Sequence, residues 1–119
     1  MTDLTELNTL ENYLKKHGIP YRRIDDTGCY IPHGLDGHYL DRHQIMVYKD
    51  KNDLMTSTSD HTDHWIWDAI CHYGSYGHDQ GLLEISGLLV DETKTGDSVE
   101  GYLFASEIIE RLEKEAKND

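Results

Sequence analysis

The residues best suited to chemistry crowd into one stretch of this chain. Asp60-His61-Thr62-Asp63-His64 is followed by Cys71-His72 and then His78-Asp79. Those 20 residues hold four of the eight histidines, one of the two cysteines and four acids, Asp68 being the fourth. Imidazole and thiolate are the ligands zinc prefers, and a carboxylate can complete a four-coordinate site. The pattern predicts a structural zinc held by three or four ligands drawn from His61, His64, Cys71, His72 and His78. Asp60, Asp63 or Asp79 would add an oxygen ligand or orient a histidine from behind. His43 could join if its strand neighbours the one carrying Cys71. The competing reading makes Cys71 a small buried hydrophobe and the histidines surface or hydrogen-bonded core residues.

Catalytic use of the cluster lacks the parts it would need. A zinc hydrolase requires an open coordination position and a nearby general base, as in H-E-x-x-H, and that motif is absent. So is the H-x-E with P-C-x-x-C of zinc deaminases. Cys71 and His72 are neighbours that point to opposite faces of a strand, so together they make no nucleophile pair. Gly74-Ser75-Tyr76-Gly77 with Gly81 has neither the Walker lysine nor the G-x-G-x-x-G spacing, and reads as a turn. The expectation is a protein that is not an enzyme, with no catalytic residues.

Charge is the second signal. Residues 1–59 carry a net −2 and residues 60–119 a net −10, which together make the −12 of the whole chain. Binding to phosphates needs Lys and Arg to displace counterions, so direct nucleic-acid binding is not expected. A protein partner with a basic surface is, and electrostatic steering would speed its capture. The candidate contacts are Asp91, Glu92, Asp97, Glu100, Glu107 and Glu110. The plain alternative is that the acids serve solubility.

The elements that must position these residues are legible from periodicity. Leu4, Leu7, Leu10 and Leu14 fall on one helical face. Asp3 and Glu6 suggest a capping box, and Gly18 and Pro20 a stop. A short strand follows over Tyr21–Ile24, then a loop from Cys29 to Asp41. Arg42–Tyr48 alternates as a strand, with His43, Ile45 and Val47 on one face and Gln44, Met46 and Tyr48 on the other. Lys49–Asp53 reads as a polar turn. Trp65–His72 is a second strand with Trp65, Trp67, Ala69 and Cys71 on one side and Ile66, Asp68, Ile70 and His72 on the other, and Leu82–Ile85 fits either a strand or a helix start. Trp65 and Trp67 are expected in the core, whereas Tyr73 and Tyr76 fit either core or partner anchors. Asp91–Gly101 reads as an acidic connection. A final helix spans about Ala105–Ala116 with Ile108, Ile109, Leu112 and Ala116 inward. On its outer face Glu107/Arg111, Glu110/Lys114 and Glu113/Lys117 are spaced as pairs four apart.

The order helix, strands, helix predicts an α+β fold: a small antiparallel sheet with N-terminal and C-terminal helices, one domain over 1–119. No apolar run is long enough to span a membrane, and the first residues lack the basic start and apolar stretch of a signal peptide. The two cysteines are therefore expected as reduced thiols in a cytoplasm.

Three segments together resemble small phage and prophage proteins of Gram-positive bacteria. They are Asp41-Arg42-His43-Gln44-Ile45, the run Trp67-Asp68-Ala69-Ile70-Cys71-His72-Tyr73-Gly74-Ser75-Tyr76-Gly77 with Gly81-Leu82-Leu83-Glu84, and Val99-Glu100-Gly101-Tyr102-Leu103. Within that setting the chain is similar to anti-CRISPR inhibitors of type II-A effector nucleases, some of which carry a metal. The resemblance implies an inhibitor in the cytoplasm of the bacterial host. It would bind a basic nucleic-acid-handling surface of the nuclease with fixed stoichiometry and block guide or target DNA loading. It brings no common fold and no catalytic residues. A small metal-dependent hydrolase or nuclease using the His/Cys cluster is the alternative, and a phage structural or regulatory domain without metal is a third reading.

Overall fold

The N-terminal leucine stripe becomes helix α1, Thr5–Lys16, with Leu7, Leu10 and Leu14 buried. Each contributes about 1.5–3 kcal/mol on burial. The expected capping box does not form. Asp3 Oδ1 accepts instead from the Thr5 N–H at 3.0 Å and its hydroxyl at 2.7 Å. Glu6 Oε1 reaches across the molecule to accept the Ala105 N–H at 2.7 Å. The first helix therefore caps the last. Gly18, at φ +65°, takes the left-handed turn that ends α1.

The computed structural model describes residues 2–26, 30–33, 36–39, 41–56, 64–96 and 98–117. After α1 come β1 (Tyr21–Asp26), β2 (Tyr30–His33), β3 (Asp36–Tyr39), β4 (Arg42–Tyr48) and α2 (Lys51–Thr56). Next are β5 (Trp65–Ile70), a single 3-10 turn at His78–Gln80 and β6 (Leu83–Gly87). The chain continues through α3 (Glu92–Thr95) and β7 (Val99–Leu103) into α4 (Ala105–Lys117). The expectation of an α+β fold with an antiparallel sheet between terminal helices holds. Three local expectations do not. The supposed loop before Asp41 contains the β2–β3 hairpin, the Lys49–Asp53 turn runs into α2, and the acidic connection contains α3 and the start of β7.

Five strands pair antiparallel in the order β1-β4-β5-β6-β7. One cross-strand row explains how helices and sheet are joined: Arg23, Ile45, Ala69, Ile85 and Glu100 stand side by side across all five strands. Paired residues share a face. The three central members are fully buried with α1 and with Ala105 and Ile108 of α4. The two end members are charged, and each ties down a helix. Arg23 Nη1 donates to Glu11 at 3.0 Å and Asn8 at 2.7 Å on α1, whereas Glu100 binds Arg111 on α4. Trp67, Cys71 and Leu103 fill the same core; Trp65 is half-buried. Ala116 is exposed, so the apolar face of α4 ends earlier than its spacing suggested.

The opposite face is polar near its centre. Asp68, almost buried, accepts from Gln44 Nε2 at 2.7 Å and from the Ser86 hydroxyl at 2.5 Å. Arg42 donates in turn to Gln44 Oε1 at 2.7 Å. A buried carboxylate is tolerated because its lone pairs are filled. At the other end of this face Met46 and Tyr48 are buried, α2 packs against β4, and Arg22 donates to the Leu54 carbonyl at 2.9 Å.

Candidate functional site

Among the described residues the histidine and cysteine candidates are not gathered into one group. Cys71 closes the β5 end of the core, fully buried, with its thiol 3.6 Å from the Asp3 carbonyl. Burial, then the nearby charges of Asp3 and Asp41, push that thiol up to about 11. The thiol packs as a small core group. His72 is half-buried, and its Nδ1 accepts the His43 backbone N–H at 3.1 Å. The neutral ring therefore carries its hydrogen on Nε2. With one nitrogen accepting an amide and the other protonated, His72 offers a metal no lone pair. Burial lowers its pKa, which keeps the accepting form. His78 lies edge-on to Tyr73, ring centroids 5.9 Å apart. His64 is exposed at φ +68° just before β5. His61, Asp60 and Asp63 lie outside the described residues. Among the described residues no three His, Cys, Asp or Glu side chains are grouped to hold a metal. Cys71, His72 and His78 are thus not brought together as a ligand set among the described residues, and His61 lies outside them.

His43 has a different and more central role. Its Nδ1 lies 2.8 Å from Asp25 Oδ1 and its Nε2 3.2 Å from Asp41 Oδ2, with the ring almost buried between them. The ring has a donor for both carboxylates when both nitrogens carry hydrogen. Asp41 also accepts the Thr2 hydroxyl at 2.5 Å and the Tyr73 N–H at 2.8 Å. Asp25 accepts Arg23 Nε at 2.9 Å. Burial would push both carboxyls up. Hydrogen bonds from His43 and Arg23 to Asp25, and from Thr2 and Tyr73 to Asp41, outweigh it and hold both below the usual value. The backbone carbonyl of His43 accepts the Cys71 N–H at 3.1 Å. One side chain therefore fastens the N-terminal arm, β1, β4 and the turn after β5. With a carboxylate oxygen beside each ring nitrogen, His43 joins these elements as a structural clamp. The sequence marks His43 as inward on its strand; Asp25 and Asp41 carried no comparable signal.

The acidic candidates divide equally clearly. Glu92, Glu107 and Glu110 are exposed. Asp91 accepts the Thr93 N–H at 3.1 Å as the N-cap of α3. Asp97 lies outside the described residues. Glu100 is not a surface charge. It is 8% exposed and takes two bonds from Arg111, at 2.7 and 2.6 Å. Arg111, expected beside Glu107 on the outer face, thus turns inward, where it also donates to the Leu89 carbonyl at 3.0 Å. Glu110 and Lys114 do meet, at 3.5 Å, as their spacing predicted. The outer surface of α4 is left with Glu107, Glu110, Glu113 and Glu115 exposed against Lys114 and Lys117.

Near the start of that helix in the fold are Tyr76, which the sequence offered as core or partner anchor, and Tyr102 and Phe104, which it did not single out. Tyr76, Tyr102 and Phe104 are 58%, 54% and 51% exposed. The Tyr102 N–H donates to the Tyr76 carbonyl at 3.2 Å. A Cβ on Gly101 would sit 2.2 Å from the Tyr76 Cβ, so glycine lets Tyr76 lie directly on β7. The available signal was the Tyr-Leu-Phe alternation at 102–104, in which the buried Leu103 forces its neighbours outward.

Comparison with protein-family models, with curated proteins and with solved structures gives no match. Among the described residues no helix is long and apolar enough to cross a membrane.

Proposed function

We propose that this protein is a non-enzymatic, phage-encoded counter-defence factor. It binds a type II-A CRISPR effector nuclease with fixed stoichiometry, on a basic surface the nuclease uses to handle nucleic acid, and blocks guide or target DNA loading. The observation that carries the reading is the withdrawal of Arg111 from the surface by Glu100. It leaves four exposed glutamates against two lysines along the outer face of α4, with exposed Glu92 on α3 adding to the same sign. Such a surface steers toward a basic protein and repels nucleic acid. The resemblance to anti-CRISPR inhibitors supplies the class of partner. The carboxylates flanking both His43 nitrogens and the burial of the Cys71 thiol are consistent with binding rather than turnover.

The test is a titration of the purified protein against a guide-loaded and a guide-free type II-A nuclease, with target DNA cleavage as readout. Inhibition should saturate at a fixed molar ratio and weaken as salt rises, chiefly through slower association. Progressive inactivation by substoichiometric protein, with guide, target or nuclease chemically altered, would refute the reading in favour of a hydrolase. Absence of any complex would refute it outright.

A further inference from the structure

We infer that His43 is a pH-operated clasp at the base of the β2–β3 hairpin, closed on both stems when its ring carries two protons and open at β1 when it carries one. The hairpin leaves the five-stranded sheet after β1 and returns at β4, and its two strands form a sheet of their own. The last rungs beneath it are Asp25↔His43 and Asp26↔Arg42. Asp25 therefore stands on the outgoing stem and Asp41 on the returning one, at 2.8 and 3.2 Å from the two nitrogens of the His43 ring. The N–H and C=O of His43 both face the turn after β5, so its contact with Asp25 is by side chain and the Asp26↔Arg42 rung carries the backbone bonds. A two-stranded hairpin is marginally stable by itself, so its placement depends on how its stems are held.

Donor counting makes the clasp two-state. An imidazolium has an N–H for each carboxylate, whereas a neutral ring has one and sets a lone pair against the other carboxylate oxygen. One contact must then give way, and burial decides which. The Asp41 side chain is 11% exposed and the Asp25 side chain 46%. Stripping a donor from the buried carboxylate costs more than returning the half-exposed one to water, so the remaining proton stays on Nε2 although the Asp25 contact is the shorter. Asp25 also keeps Arg23, which donates to its two oxygens at 2.9 and 3.3 Å. The groups around the ring are Arg23 and Asp25 from β1, Asp41 from the returning stem, and His72 after β5, with Glu84 of β6 beyond His72. Arg42 of β4 is turned to Gln44 on the opposite face. Asp25 and Asp41 are held below the usual carboxylate range and stay ionised throughout, so His72 is the neighbour whose titration must be separated from that of His43.

The experiment follows the isotopically labelled full chain by NMR from about pH 5 to about pH 9. Ring signals of His43 and His72 give each titration, and amide exchange, corrected for its intrinsic pH dependence, gives the opening of the stem. Exchange at Asp26 and Arg42 should speed about tenfold as His43 becomes neutral, with the midpoint of its ring signals. The amides of Tyr30, Ile31, His38 and Tyr39 should shift at that same midpoint, while Ile45 and Val47 keep their protection.

Asp25→Asn places an amide that can accept from a protonated nitrogen or donate to a bare one, so the step at Asp26 and Arg42 should vanish with the fold intact. His43→Gln should abolish it as well, and His72→Asn should leave it in place. An Asp26–Arg42 rung unchanged across the His43 titration would overturn the inference, as would a His43 ring that does not titrate in this range. So would a step that follows His72 or persists in Asp25→Asn. Opening at the Tyr73 amide, which Asp41 accepts, in place of Asp26 would overturn the assignment of the releasing stem.

Discussion

Replacing Arg111 by Met tests whether the contact that joins α4 to the edge of the sheet is the buried ion pair it is argued to be. Glu100 is 8% exposed and receives two short bonds from Arg111, which also holds the Leu89 carbonyl. Removing the arginine takes both guanidinium bonds from a carboxylate that also accepts the Asp91 N–H at 3.0 Å. Breaking a buried pair from one side typically costs about 3–5 kcal/mol. A chain of 119 residues should have a total stability of roughly 6–18 kcal/mol, so the variant should fold but be clearly weakened. The melting temperature should fall by roughly 12–20 °C, at about 4 °C per kcal/mol for this length.

Glu100→Leu with Arg111→Met should recover most of that loss, because no charge is then stranded; the Leu89 carbonyl, left without its donor, keeps a deficit of about 1 kcal/mol. Urea unfolding of the wild type, Glu100→Leu, Arg111→Met and the double variant gives the coupling energy directly, expected at about 2–3 kcal/mol. Arg111→Met within 1 kcal/mol of wild type, or single effects that simply add, would refute the argument. Either result would also return Arg111 to the outer face of α4 and weaken the charge imbalance on which the proposed function depends.

Two other predictions concern the frame. Gly87 lies at φ +95°, and a Cβ there would sit 2.5 Å from the Ile66 carbonyl oxygen and 2.8 Å from the Trp67 Cα. Gly87→Ala should cost more than about 2 kcal/mol, read as a lowered thermal midpoint, because rigid backbone on β5 must move. Acid should loosen the His43 clamp in two steps. His72 has its folded pKa lowered from 6.5, so its stabilisation is present above that value and is lost as pH falls through its folded pKa. Asp25 and Asp41 are lowered from 3.8, so theirs is present above 3.8 and lost as pH falls below it. Urea midpoints measured from pH 7 to 2 should fall in both ranges. Asp41→Asn should diminish the lower step and His72→Asn the upper, and an unchanged profile in either variant would contradict the assignment.

What the sequence determined by itself is what local periodicity encodes. The leucines of α1, the alternation of β4 and β5 and the amphipathic run of α4 each bury one face whatever lies opposite. Their bounds fall close to Thr5–Lys16, Arg42–Tyr48, Trp65–Ile70 and Ala105–Lys117. β7 was hidden because its inward residues, Glu100 and Leu103, straddle a bulge and do not alternate as apolar and polar. Polar side chains have several partners within reach, and the choice among them waits for packing. Glu6 had a local amide to cap and took one 99 residues away. Arg111 had Glu107 four residues before it and took Glu100, because a buried carboxylate at the sheet edge needs its cation more than a solvated one does. The crowded histidines and cysteine were close in sequence, yet strand alternation and backbone hydrogen bonding sent Cys71 into the core and tied His72 to His43. Tertiary structure decided the candidate site for the same reason: Tyr76 meets Tyr102 through a contact between a loop and an edge strand, which no local pattern specifies.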